Sequence, residues 1–156
     1  MRIPGLLALF ALAACGDSTD ISGLYFGNAT STLSPTSGAG SVHAGSATIS
    51  IANVGDDVDV TLAPGCALTA SREKEETIKD GANTTRFVFT TDVVRDGQTC
   101  TLPLAGADLG ITIVEGDLVV QAGSTMTLQL GGAIGTAPEV ADVGGYAVFD
   151  FAGAQP

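Results

Sequence analysis

The chain has no tryptophan, one histidine and only six basic residues among 156. Each shortage excludes something. Without tryptophan a sugar-binding cleft lacks its usual aromatic platform, and among 17 acidic residues nothing singles out a glycosidase pair. One histidine cannot build the usual catalytic zinc site. That residue, His43, stands beside a Gly/Ser-rich stretch, and no nucleophile-elbow motif occurs in the chain, which argues against a Ser-His-Asp triad. No enzymatic site and no cofactor are expected. Six basic residues against 17 acidic ones give a formal net charge of −11. A surface of that sign does not displace counterions from nucleic acid and does not adsorb to anionic headgroups. Acidic surfaces favour solubility. Nor is there an apolar run of the roughly 20 residues that a membrane-spanning helix needs.

The longest apolar run is at the start. Met1 and Arg2 form a short positive region, and Leu6 to Ala14 is uninterrupted apolar sequence, the length of a secretory h-region. Leu12-Ala13-Ala14-Cys15 then resembles the lipobox of bacterial lipoproteins. Small residues before the cysteine let a peptidase cleft admit the backbone there. The resemblance implies that residues 1–14 are a signal peptide and that the Cys15 thiol receives a diacylglyceryl group. Cys15 then becomes the first residue of the mature protein. Residues 15–22 would be the lipidated cysteine and a polar tether, and residues 23–156 a single domain, a natural size for one core. A mature lipoprotein carries at least two acyl chains, palmitate among them, which is enough for stable anchoring. Inner-membrane retention in such proteins resembles an Asp directly after the cysteine. Here Gly16 follows and Asp17 comes one later, so the expected address is the outer membrane if the source has one.

Cys15 is accounted for by lipid, which leaves Cys66 and Cys100 as an even pair. In an exported, oxidised protein the default for such a pair is a disulfide. It would close a loop of about 35 residues, worth about 3–4 kcal/mol on the chain-entropy account. Neither a CxxC unit nor a nearby histidine accompanies the pair, so a metal site is not expected.

Beyond the tether the pattern is strand and turn. Val58, Val60 and Leu62 alternate with Asp57, Asp59 and Thr61, and Met126, Leu128 and Leu130 with Thr125, Thr127 and Gln129. Ala47, Ile49 and Ile51 alternate with Thr48, Ser50 and Ala52, and Phe87 and Phe89 interleave with Arg86, Val88 and Thr90. Period two with one apolar face is the mark of a half-buried strand. Turn residues fall between the runs at Val54-Gly55-Asp56, Asp80-Gly81, Glu115-Gly116-Asp117 and Gly131-Gly132. Ser34 to Ser41 reads as a long polar connection. Ser71 to Asp80 has one large apolar residue, Ile78, so a polar hairpin tip fits it better than a helix. The count of eight or nine short strands predicts an all-β, antiparallel up-and-down meander of about eight strands, closed as a small barrel, with an open sandwich as the alternative. The aromatic end stretches Gly23–Gly27 and Gly145–Gly153 are expected to be neighbours. The apolar halves of the alternating strands should point inward and mostly fill the interior.

Asp56, Asp57 and Asp59 are the densest acidic cluster. Calcium needs six to eight oxygens and no EF-hand spacing follows, so a solvated strand face is expected and cation binding stays open.

Asp20 to Gly27 resembles the opening of lipocalin-like small barrels, with Gly23-Leu24-Tyr25 matching their Gly-x-Trp motif and Tyr25 in the tryptophan position. Those families cover that ring with a basic residue at the end of the last strand, and Gly145 to Ala152 has none. The resemblance implies a closed meander barrel and an apolar ligand. Two functions follow as expectations. One is a lipid-anchored envelope protein of binding or assembly role, engaging an envelope protein partner. The other is a carrier of a small apolar ligand inside the barrel.

Overall fold

The alternating stretches become nine antiparallel strands, and no helix occurs among the described residues. The structure is a computed structural model and describes residues 20–64, 66–72, 84–89, 98–104, 107–121, 125–135 and 144–156. Cys15 and the signal-peptide residues lie outside them, as do 73–80 of the polar segment and Asp80-Gly81. The strands are β1 (Gly23–Pro35), β2 (Ser41–Val54), β3 (Asp57–Ala63), β4 (Cys66–Arg72), β5 (Thr84–Phe89), β6 (Thr99–Leu104), β7 (Ala107–Gln121), β8 (Thr125–Ile134) and β9 (Gly145–Ala154).

Nine strands fill eight positions. β7 is long, and one of its edges pairs with two strands in succession: Ala107–Thr112 with β6, and Asp117–Gln121 with β5. β5 and β6 are therefore two collinear halves of one interrupted strand. The circuit runs β1-β2-β3-β4-β5/β6-β7-β8-β9 and returns to β1, where Phe26 pairs with Ala154 and Pro35 with Gly145. The expected meeting of the two end stretches is the closure of this barrel, which pairs the edges that β1 and β9 would otherwise leave open. One seam is unsealed. β4 pairs with β5 through Ala70–Arg72, but the described residues show no ladder between Cys66–Thr69 and β6.

The expected inward residues are the core. Ile49, Ile51, Val58, Val60, Met126, Leu128 and Leu130 are all buried, with Leu62 partly so, and they pack with Leu68, Leu118 and Phe151. Gly55, at φ +67°, makes the expected β2–β3 turn, a backbone conformation cheap only for glycine.

Two expected turns are strand interior. β7 runs unbroken through Glu115-Gly116-Asp117, which pair with Gly131, Leu130 and Gln129 of β8 just past a bulge between Ile113 and Glu115. β8 continues through Gly131 and Gly132 to Ile134. Glycine serves close packing there, because a Cβ on Gly131 would strike the Tyr146 hydroxyl and one on Gly132 the Ile111 side chain. Strands are also longer than expected: β1 takes in Ser34 and Pro35 and β2 begins at Ser41. Only residues 36–40 remain as the connection.

The two ends of the barrel differ. At the end where β1 begins, Ile21 and Tyr25 are buried as a plug, and the Tyr25 hydroxyl donates to the Ile21 carbonyl at 2.9 Å. Ser22 and Ile21 are stitched to Asn53 of β2 (Ser22 Oγ to Asn53 Oδ1, 3.2 Å), and Gln155 Nε2 donates to the Ser22 carbonyl at 3.1 Å. This base is closed. The other end is not.

Candidate functional site

β2 is paired with β1 from Ser41 to Ile51, but β3 pairs with β2 only from Ser50 to Val54. The β3–β4 hairpin is too short to follow β2 upward. The first half of β2 therefore overhangs the barrel, and its inner face looks into an open cup of about 290 Å³. Ala29 and Ser31 of β1, His43 and Ala47 of β2, Leu102 of β6 and Phe149 of β9 line it. The described residues beneath it are packed as a core. The cup stands at the small end of the range for ligand pockets.

Two polar side chains face it. Ser31 and His43 are cross-strand partners, which puts their Cβ atoms about 4.5–5.5 Å apart. His43 is exposed. Ser31 is 7% exposed, and among the described residues its hydroxyl has no hydrogen-bond partner. A buried hydroxyl left unpaired is costly and uncommon. No hydrogen bond joins the two, so the cup offers polar contacts without an assembled nucleophile and base.

A larger groove of about 630 Å³ crosses the outer face of β7, β8 and β9. Four of its polar side chains pair with one another: Arg86 with Asp117 at 2.7 Å, and Gln129 Nε2 donating to Asp150 at 2.8 Å. Nearby, the Tyr146 hydroxyl donates to Glu115 Oε1 at 2.6 Å. Partial burial, then that hydrogen bond and the charge of Glu115, push the Tyr146 pKa up to about 12. These pairs cross-link strands on the outer sheet face.

Cys66 and Cys100 are joined by a disulfide across the unsealed seam, both buried, with Cα atoms 4.4 Å apart. The acidic cluster does not gather. Asp57 and Asp59 share the outward face of β3, Asp56 sits in the turn, and Asp59 accepts a hydrogen bond from the Thr69 hydroxyl at 2.8 Å. Among the described residues no group of three or more His, Cys, Asp or Glu side chains could hold a metal ion.

Sequence reasoning missed Ser31 as a site residue, although a signal was present. It is the polar residue in the otherwise small or apolar inward phase Tyr25, Gly27, Ala29, Ser31, Leu33. No protein-family model, curated protein or solved structure matches the chain.

Proposed function

We propose that the protein is a lipid-anchored binding protein of a bacterial cell envelope, without enzymatic activity, held through Cys15 and receiving a partner at the open mouth of its barrel. The observation that carries this reading is the polarity of the barrel. The closed base lies beside Asp20, five residues after the lipobox cysteine, while the open cup takes Ala29 and Ser31 of β1, roughly 20–26 Å along the strand from Gly23 at strand rise. A lipid anchor at Cys15 therefore turns the mouth away from the bilayer. If the source has an outer membrane, the anchor is assigned there. The cup is walled by an overhanging strand rather than enclosed, which suits a protein partner laid against it.

A second reading is a small apolar ligand bearing one hydrogen-bonding group. The buried Ser31 hydroxyl, without a hydrogen-bond partner among the described residues and above an apolar floor, favours it. Native mass spectrometry of protein extracted from its own membranes separates the two: a mass increment of a few hundred daltons supports the ligand, a protein complex supports the partner. Cys15→Ser tests the anchor. It should release the protein from membranes or block its processing, and mature variant that still fractionates with membranes would sink the lipoprotein assignment.

A further inference from the structure

The chain carries 23 charged residues, yet residues 21–55 contain no Asp, Glu, Lys or Arg. That span is the β1–β2 hairpin together with the plug that precedes it. The free edge of the mouth lies within it. From Ser41 to Ile49, β2 has β1 on one side and, among the described residues, no strand on the other. Among the described residues nothing lies over it, since Val42 is 66% exposed and His43, Ala44, Gly45 and Ser46 are exposed on both faces. A Cβ added at Gly45 would meet no atom within 4 Å.

Natural sheets guard such edges with Lys, inward charges, proline or bulges, because an unpaired row of N–H and C=O groups templates another strand. This edge has none of those guards from Ser41 to Ile49. We infer that it is an association surface for a second copy of this chain, the two β2 edges pairing antiparallel about a two-fold axis. The charge distribution selects that occupant. Two molecules of formal charge −11 repel one another over most of their surfaces, and the uncharged hairpin lets them meet without opposing carboxylates. An antiparallel pair of identical segments is also self-complementary, as a two-fold interface requires. Centred on the free span, the axis passes at Gly45 and sets Val42 of each copy against Thr48 of the other. The pairing satisfies backbone groups along both edges and supplies the missing wall of each cup. It rests on the reading of the mouth as a protein-binding end.

Gly45→Cys tests it in the full chain, in the membranes where the protein resides. The axis places the two introduced thiols directly opposite each other, at a separation a disulfide can span. Mild oxidation should give a covalent dimer of twice the chain mass, about tenfold more than Ala152→Cys on the exposed outer face of β9 gives. Adding Ala44→Asp and Ser46→Asp to Gly45→Cys should bring the yield down to the Ala152→Cys level while the thermal unfolding transition is retained. Absence of dimer from Gly45→Cys, or equal yields from the two positions, overturns the pairing. A Gly45→Cys adduct of another mass also overturns it, and leaves the partner-binding reading standing.

Discussion

Gln98 holds Thr69 by both of its backbone groups. The Gln98 Oε1 accepts from the Thr69 N–H at 2.5 Å and its Nε2 donates to the Thr69 carbonyl at 2.6 Å. A side-chain carboxamide here does what a neighbouring strand's peptide would do, at the one place where the β4–β6 ladder is missing. The Gln98 carbonyl meanwhile accepts from the Ile113 N–H at 2.8 Å, so one residue ties β4 to β7 across the seam. Next to it the Cys66–Cys100 bond makes the covalent closure.

Gln98→Ala should therefore lower stability by about 1–3 kcal/mol, the net worth of two hydrogen bonds. Gln98→Glu keeps an acceptor for the Thr69 N–H, loses the donor, and brings a carboxylate up to the Thr69 carbonyl, so its loss should be at least as large. Urea unfolding checks both through a shifted midpoint at unchanged slope. Wild-type midpoints for the two variants would show that water replaces the carboxamide freely.

Removing the disulfide by Cys66→Ala with Cys100→Ala should cost about 2–5 kcal/mol. Its local signature distinguishes a seam staple from general loop closure. Amide exchange should accelerate in Cys66–Thr69 and Thr99–Leu102 more than in the β1–β9 ladder. A uniform acceleration across all strands would mean that the bond acts only on the unfolded chain, and free thiols in native protein would mean that it does not form.

The alternation of Val58, Val60 and Leu62 and of Met126, Leu128 and Leu130 announces strands, an inward face and, with the count, a barrel of eight positions. Those features are set by period-two patterning, which is local. What is not local could not be read. Glu115-Gly116-Asp117 has turn composition but lies within a strand, because each of the three pairs with β8, just past a bulge between Ile113 and Glu115. Gly131 resembles a turn residue and is instead the space into which the Tyr146–Glu115 pair fits. The disulfide followed from cysteine parity, whereas its position at a seam depends on β5 and β6 sharing one edge of β7. The cup was hidden for a similar reason: it arises from a difference in length between β2 and the β3–β4 hairpin, and strand ends are weakly marked in this sequence.

Both tyrosines should titrate late. Burial, with a smaller contribution from the charge of Asp20, raises the Tyr25 pKa, and Tyr146 is pushed up to about 12. Tyrosines in the unfolded chain ionise near pH 10. Between that value and the folded values the unfolded state binds fewer protons than the native state, so stability falls as pH rises. The contribution is complete below about pH 10 and is lost as pH passes through the folded values. Tyrosinate absorbance of native protein should show a step at about pH 12 from Tyr146 that Tyr146→Phe removes, leaving the step of Tyr25 above its unfolded position. A step near pH 10 that Tyr146→Phe removes would show that the Tyr146–Glu115 bond does not hold in solution.

Ser31 gives the sharpest test of the mouth. Its hydroxyl is buried, aimed into the cup and unpaired among the described residues. In the empty protein such a group is a cost that alanine removes. Ser31→Ala should therefore raise stability by about 1 kcal/mol, which for a chain of this length is a rise in Tm of about 2–4 °C. Stability that improves when a polar side chain is deleted marks a residue retained for what it binds rather than for the fold. Differential scanning calorimetry of the processed protein measures the shift. If the second reading holds, the same substitution should weaken retention of the co-purifying small molecule, since the cup then offers one hydrogen bond fewer. A fall in Tm would instead show that Ser31 is already satisfied within the barrel wall, and the ligand-binding reading of the cup would lose the observation that supports it.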